Sequence, residues 1–202
     1  MASGDLLAEV REAGLIGPGR PLLVLLSGGA DSVCLLSVAS EVGVELSVLH
    51  VNYGLRGEES ERDEQHCREL CDQLGVALRV ERAALDPSAT GNLQAGARDL
   101  RYGHAERLAV GDYATGHTRS DEAETILYRL ASSPGSRALA GIAPRRGRLV
   151  RPLLGHTREQ TREYCRARSL AWREDRSNQD PAFARARVRD GLLPTLTEIS
   201  PG

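Results

Sequence analysis

Val24-Leu25-Leu26-Ser27-Gly28-Gly29-Ala30-Asp31-Ser32 is an apolar run that empties into two glycines and then into the apolar periodic stretch Val33 to Val42. A strand feeding a glycine turn that opens a helix aims backbone N–H groups and a positive dipole end at one spot. A phosphate is the expected guest. Gly28 and Gly29 let the backbone approach closely and adopt positive φ, and Ser27 and Ser32 supply hydroxyls. The Walker pattern is excluded, because it needs a lysine and none occurs in the 202 residues. The dinucleotide fingerprint is excluded as well. A plain strand-to-helix turn of small residues is the alternative reading.

Outward from this turn the periodicity alternates. A short amphipathic helix (3–14) precedes strand 22–26, helix 32–42, strand 44–51, helix 59–74 and strand 76–81. Helix 93–109, strand 112–116 and helix 119–131 follow. Short connections between such units imply an α/β fold, a doubly wound parallel sheet with helices on both faces. Ligands in these folds sit at the carboxyl ends of the strands, where the loops after Leu26, His50 and Gly116 lie. Beyond residue 132 the sequence turns rich in Gly, Pro and Arg, with a short strand near 148–150 and helices near 157–168 and 182–192. The expectation is a single domain over 1–202, with 132–202 as its Arg-rich C-terminal extension.

With 41% hydrophobic residues the chain can bury a substantial core, and its net charge of −2 gives no global basic field. Nucleic-acid binding therefore has to come from local patches of its 26 arginines. No apolar run approaches the length of a membrane span and the start MASGDLLAEV has no basic leader, so a cytoplasmic protein is expected. Cys34 lies in a helical apolar stretch, and Cys67 and Cys71 share a stripe with Leu70 and Leu74. Core packing is favoured for all three, and Cys165 looks equally idle.

A second constellation is Gly116-His117-Thr118-Arg119-Ser120-Asp121-Glu122-Ala123-Glu124-Thr125. Asp121 and Glu124, three apart, project from one face of the first helical turn toward the crevice of the glycine loop. With Asp31 they are candidates to hold Mg2+ against ATP phosphates. Acidic residues in a first turn also complement the helix dipole, and Thr118-x-x-Asp121 makes a capping box, so a structural role stays open.

The SGGADS loop resembles that of the PP-loop ATP pyrophosphatases. The series HVNYGLRGEES (50–60), ARDLRY (97–102), GHTRSDEAET (116–125), RALAGI (137–142), RPLL (151–154), EDRSN (174–178) and RARVR (185–189) resembles, from about Pro21 to Pro194, the catalytic domain of tRNA(Ile)-lysidine synthetases. The resemblance implies an ATP-dependent ligase acting on a tRNA(Ile) with a CAU anticodon. It would adenylate the C2 oxygen of the wobble cytidine and let the amine of free lysine displace AMP. Ser27, Gly28, Gly29, Asp31 and Ser32 would bind ATP, and Asp31, Asp121 and Glu124 would be the catalytic residues and place Mg2+. Arg98, Arg101, His117, Arg151, Arg185, Arg187 and Arg189 are candidates for substrate or RNA contacts, and Arg145, Arg146 and Arg148 add dispersed positive charge nearby. The lack of paired cysteines argues against the tRNA-thiolating branch of the superfamily.

Several positions depart from the family pattern: Tyr53 and Asp190 where histidines are usual, Gln94 for a glutamate, Thr118 and Ser120 within H-H-x-D-D, and Ala186 for an asparagine. Further helical tRNA-docking domains usually follow in the family and are not expected here. A PP-loop enzyme adenylating another substrate and a non-catalytic nucleotide-responsive RNA-binding module stay open, as does a homodimer.

Overall fold

In the computed structural model the described residues are 3–83, 93–132, 135, 139–174 and 184–199. Six strands form one sheet in the order β3-β2-β1-β4-β6-β5. These are β1 (Pro21–Leu25), β2 (Glu45–Asn52), β3 (Leu78–Arg82), β4 (Asp112–Ala114), β5 (Arg145–Arg146) and β6 (Leu149–Val150). All pair in parallel except β5, which closes a short antiparallel hairpin with β6. The helices are α1 (Ser3–Ala13), α2 (Ala30–Val42), α3 (Glu58–Leu74), α4 (Leu93–Leu108), α5 (Arg119–Ser132) and α6 (Arg158–Ala167). A last helical run joins α7 (Ala184–Arg187), a π-helical turn (Val188–Leu192) and α8 (Leu193–Ile199).

The alternating side chains of β1 explain why the sheet is covered twice. Leu22, Val24 and Leu26 enter a core with α1, α2 and α6, whereas Leu23 and Leu25 enter a second core with Ala105, Tyr102 and Leu108 of α4. A period of two sends successive residues to opposite faces, so a strand apolar at every position needs both faces covered. The doubly wound expectation is met. Helix α2 lies deepest, with every residue from Ser32 to Ala39 buried. The four cysteines are free and buried, as core packing requires.

The strand order reverses between β1 and β4, which makes the crevice outside their carboxyl ends the switch point of the sheet. Both constellations open there. The β5 strand and the extension of the last helical run to Ile199 are not visible in the sequence, since two-residue strands and π turns have no periodic signature.

Candidate active site

The glycine loop is shaped from inside by a serine. Ser32 Oγ donates to the Gly29 carbonyl at 2.9 Å and accepts the Ser27 N–H at 3.2 Å, and the two serine hydroxyls lie 3.1 Å apart. Ser27 is exposed, but with the Ser32 proton on the Gly29 carbonyl its own hydroxyl is the donor to Ser32 Oγ and keeps only its acceptor side for a ligand. Only Gly28 takes a positive φ, +87°; Gly29 is extended and caps α2. In the first turn of α2 the Ser32 and Val33 N–H groups both reach the Gly29 carbonyl at 3.0 Å, which leaves the N–H groups of Ala30 and Asp31 without a carbonyl one turn earlier. A Cβ on Gly116 would stand 2.8 Å from the carbonyl carbon of Asp31, so β4 can approach α2 only through a glycine there.

That approach brings Asp31, Asp121 and Glu124 together as expected, around a partner not anticipated from the sequence. Arg158, at the start of α6, reaches Glu124 at 3.0 Å, Asp121 at 3.1 Å and Asp31 at 3.7 Å. Helix α6 begins in a capping box of Thr157 and Gln160, and the Ser120 hydroxyl accepts the Arg158 backbone N–H at 3.1 Å. Ser120, one of the departures from the family pattern, thus docks α6 onto α5. Asp121 also accepts the Thr118 N–H and hydroxyl at 2.8 and 2.7 Å, the capping arrangement read from Thr118-x-x-Asp121. The Thr161 hydroxyl donates to Asp31.

One guanidinium does not neutralise three carboxylates. Burial lifts Asp31 to about 6, against the Thr161 hydrogen bond and with help from Asp121. Burial also raises Glu124, opposed by Arg158. Burial works against the charge of Arg158, yet Asp121, Glu124 and Asp31 together hold its pKa above the usual value.

Carboxylate oxygens are the right donors for Mg2+, but this arrangement does not fit the ion. Among the described residues no group of three His, Cys, Asp or Glu is placed to hold a metal, because Arg158 stands where Asp31, Asp121 and Glu124 would converge on it.

His117 leaves β4 beside this cluster, with Nδ1 2.6 Å from the Thr115 hydroxyl. Burial drives it down to about 4; Asp121 pulls the other way, and Arg151, Arg101 and Arg98 push it further down. It is a neutral imidazole at pH 7. Arg98 and Arg101 sit over the Tyr102 ring of α4, and buried Arg151 donates to the Ala143 carbonyl at 2.6 Å. The Tyr53 hydroxyl donates to the Ala97 carbonyl at 2.7 Å and ties the loop after β2 to the same helix.

The arginines of the last helical run divide. Arg189 pairs with Asp190 at 2.8 Å and lies close enough to lower the Glu124 pKa; Arg187 is exposed. The Arg185 and Gln94 side chains, and residues 137, 138 and 175–178, lie outside the described residues. Arg145 and Arg148 are internal staples, Arg145 to Asp112 at 2.8 Å and Arg148 to the Gly111 carbonyl at 2.8 Å.

The HVNYGLRG segment builds support for the loop. His50 lies 2.9 Å from the Leu26 carbonyl through Nδ1, and Asn52 Nδ2 donates to Glu64 at 2.9 Å. Arg56 pairs with Asp63, which also holds Arg173, whose backbone N–H donates to the Gly28 carbonyl at 2.9 Å. The 170–174 segment therefore straps the glycine loop to α3, which the sequence did not disclose.

A family model described as a PP-loop domain matches residues 7–196. The chain belongs to the PP-loop family. A tRNA(Ile)-lysidine synthase of Solibacter usitatus is 44% identical over 189 residues, covering 90% of this chain and 42% of the relative. Another, of Thermus thermophilus, is 44% identical over 193 residues, covering 92% of this chain and 38% of the relative. The chain thus spans about two fifths of the length of these curated relatives. In fold it is similar to the U34-tRNA thiolase NcsA of Methanococcus maripaludis, with a TM-score of 0.77 at 18% identity over 98% of this chain and 74% of that one. It is also similar to an NMN synthetase of Francisella tularensis, with a TM-score of 0.58 at 16% identity over 95% of this chain and 84% of that one.

Proposed function

We propose that this PP-loop chain carries the catalytic chemistry of a tRNA(Ile)-lysidine synthase, a ligase that forms a C–N bond while cleaving ATP to AMP and pyrophosphate. The observation that supports it most is the convergence of the glycine loop and the Asp31, Asp121 and Glu124 carboxylates on one strand-end crevice, in a chain 44% identical to relatives of that name. In this reading residues 1–202 act as one catalytic domain with 132–202 as its Arg-rich extension.

The loop amides grip the ATP phosphates. The C2 oxygen of the wobble cytidine attacks the α-phosphorus, and the bond to the β-phosphate oxygen breaks to release pyrophosphate. The amine of lysine then attacks C2, the C2–O bond breaks, and AMP leaves with the electron pair. The attacking amine has to shed a proton, and a carboxylate raised by burial is a better base than an exposed one. Asp31 and Glu124 meet that condition. The cluster already holds a guanidinium, so an organic cation suits it, and Arg158 takes the place that Mg2+ would need. A cytoplasmic location, where tRNA is modified, belongs to the same reading; among the described residues no helix is long and apolar enough to cross a membrane.

The test supplies radiolabelled lysine, ATP with magnesium, and a tRNA(Ile) transcript bearing a CAU anticodon, and scores label in the RNA. Incorporation that needs the wobble cytidine and falls at least about 100-fold in Asp121→Ala is expected. AMP release without label in the RNA would move the chain to another acceptor.

A further inference from the structure

Most described arginines meet an acid. Arg56 pairs with Asp63, Arg68 and Arg82 with Glu64, Arg145 with Asp112, Arg148 with Glu106, and Arg168 with Glu41. Arg98, Arg101 and Arg151 make no ion pair among the described residues; Arg11, Arg107, Arg119 and Arg129 make none either, but each of those is exposed enough to reach water or donates to a backbone carbonyl at the surface. The first three also stand together. Arg98 and Arg101 lie 5.3 and 5.5 Å from the Tyr102 ring centre, and the charge of Arg151 is felt by Arg98 and Tyr102.

Arg151 is 4% exposed, and its guanidinium donates to a neutral carbonyl, that of Ala143, and lies beside the neutral Tyr102 hydroxyl. A guanidinium taken out of water without a counterion is costly, and burial accordingly lowers its pKa. Among the described residues three buried polar atoms in this group lack a partner in hydrogen-bond geometry: Arg151 Nε, Arg101 Nε and the Tyr102 hydroxyl, the last close enough to Arg151 to act on its charge. Buried polar atoms are almost always satisfied, so three orphans beside three uncompensated cations mark a place for an anion. The facing titratable groups are His117, neutral at pH 7, and Asp121, which acts on His117 and is itself engaged by Arg158 and Thr118.

We infer that Arg98, Arg101, Tyr102 and Arg151 form a second phosphate pocket, separate from the glycine loop, and that it takes a backbone phosphate of the RNA substrate. Several guanidinium forks match the oxygens of a phosphate ester better than a lone carboxylate. The glycine loop already serves the nucleotide, which leaves the RNA as the source of a second phosphate; this assignment of source rests on the proposed function, whereas the phosphate chemistry does not. Tyr53 anchors α4 at Ala97, one residue before Arg98, and so sets the pocket against the loop after β2.

Arg101→Gln and Arg98→Gln, both on the half-buried rim, test this without emptying the core. Inorganic phosphate should raise the melting temperature of the wild type and much less that of either variant, while the ligand-free variants melt no lower because mutual repulsion has been relieved. Binding of an anticodon stem-loop RNA should weaken about tenfold with a shallower salt dependence, at unchanged ATP affinity. Loss of ATP affinity with RNA binding intact would overturn the assignment to RNA. Variants that melt lower and respond to phosphate like the wild type would overturn the pocket itself, whatever the enzyme's activity.

Discussion

Two acid–arginine clusters lie at the same end of the sheet and are balanced in opposite ways. On α3, Glu64 meets Arg68 at 2.8 Å, Arg82 at 3.0 Å and the amide of Asn52 at 2.9 Å, while the neighbouring Asp63 takes Arg56 and Arg173. Hydrogen bonds, that from Arg82 foremost, hold Glu64 down at about 2 despite its burial. In the crevice, three carboxylates share Arg158, and burial lifts Asp31 to about 6. The first cluster matches its acids with arginines, since Arg82 also reaches Glu61 and Arg173 also reaches Glu59, and it fastens loops to a helix. The second sets three acids around one contacting arginine, with Arg162 and Arg189 acting on Asp31 and Glu124 only from further away, and keeps capacity for another cation. Strain of this kind belongs at a working site, because a structural cluster gains nothing from it.

The largest effect that separates the two is expected from Asp31→Asn. Its activity in the lysine-incorporation assay should fall at least about 100-fold, yet the variant should be the more stable one. The native pKa of about 6 lies above the ordinary 3.8, so the stability tied to the protonated form is full below pH 3.8 and lost as pH rises through 6. The loss reaches roughly 1–3 kcal/mol at pH 7 and is absent in the asparagine variant. Urea denaturation at pH 4 and pH 7 reads it; equal wild-type stability at both would contradict the imbalance.

Next, Arg158→Met should convert the cluster into a metal site. Mn2+ followed by calorimetry is expected to bind at least about tenfold more tightly than to the wild type, at some cost in stability, since three acids then face one another unpaired. No gain in affinity would show that the carboxylates are splayed without the arginine.

Glu64→Gln should cost roughly 1–3 kcal/mol of stability and little activity. The sign is opposite to that of Asp31. With its pKa lowered from 4.5 to about 2, Glu64 contributes fully above pH 4.5 and loses its contribution as pH falls through 2. The smallest effect is expected at Arg62, which pairs with Glu58 and Glu59 on the exposed face of α3. Arg62→Ala should change stability by no more than about 0.5 kcal/mol and disappear in high salt.

The β1–loop–α2 unit was legible because two local signals agree there, an apolar run and a glycine turn. The pairing of Asp121 with Glu124 was legible because a spacing of three fixes their common face before any packing is known. Arg158 was not, because one arginine among 26 has no local mark. Its place depends on α6 packing against α2 and on Ser120 receiving its N–H. The same holds for Arg173 on the Gly28 carbonyl, and for Gly116, whose contact is with Asp31 far away in sequence. Arg98 and Arg101 stand out in the sequence on one helix and Arg151 near the last strand, but only the fold brings all three to Tyr102 with no ion pair among the described residues.

What the sequence determined by itself was the doubly wound sheet, the glycine loop between β1 and α2 and the acidic turn facing it, all consequences of periodicity and steric freedom within a few residues. What the tertiary structure decided was the charge balance among the described residues: which acids are satisfied by arginine and which are left short, and which arginines meet no acid. Electrostatic pairing acts through space, between side chains that the chain order holds far apart, so it is settled only when the helices have packed.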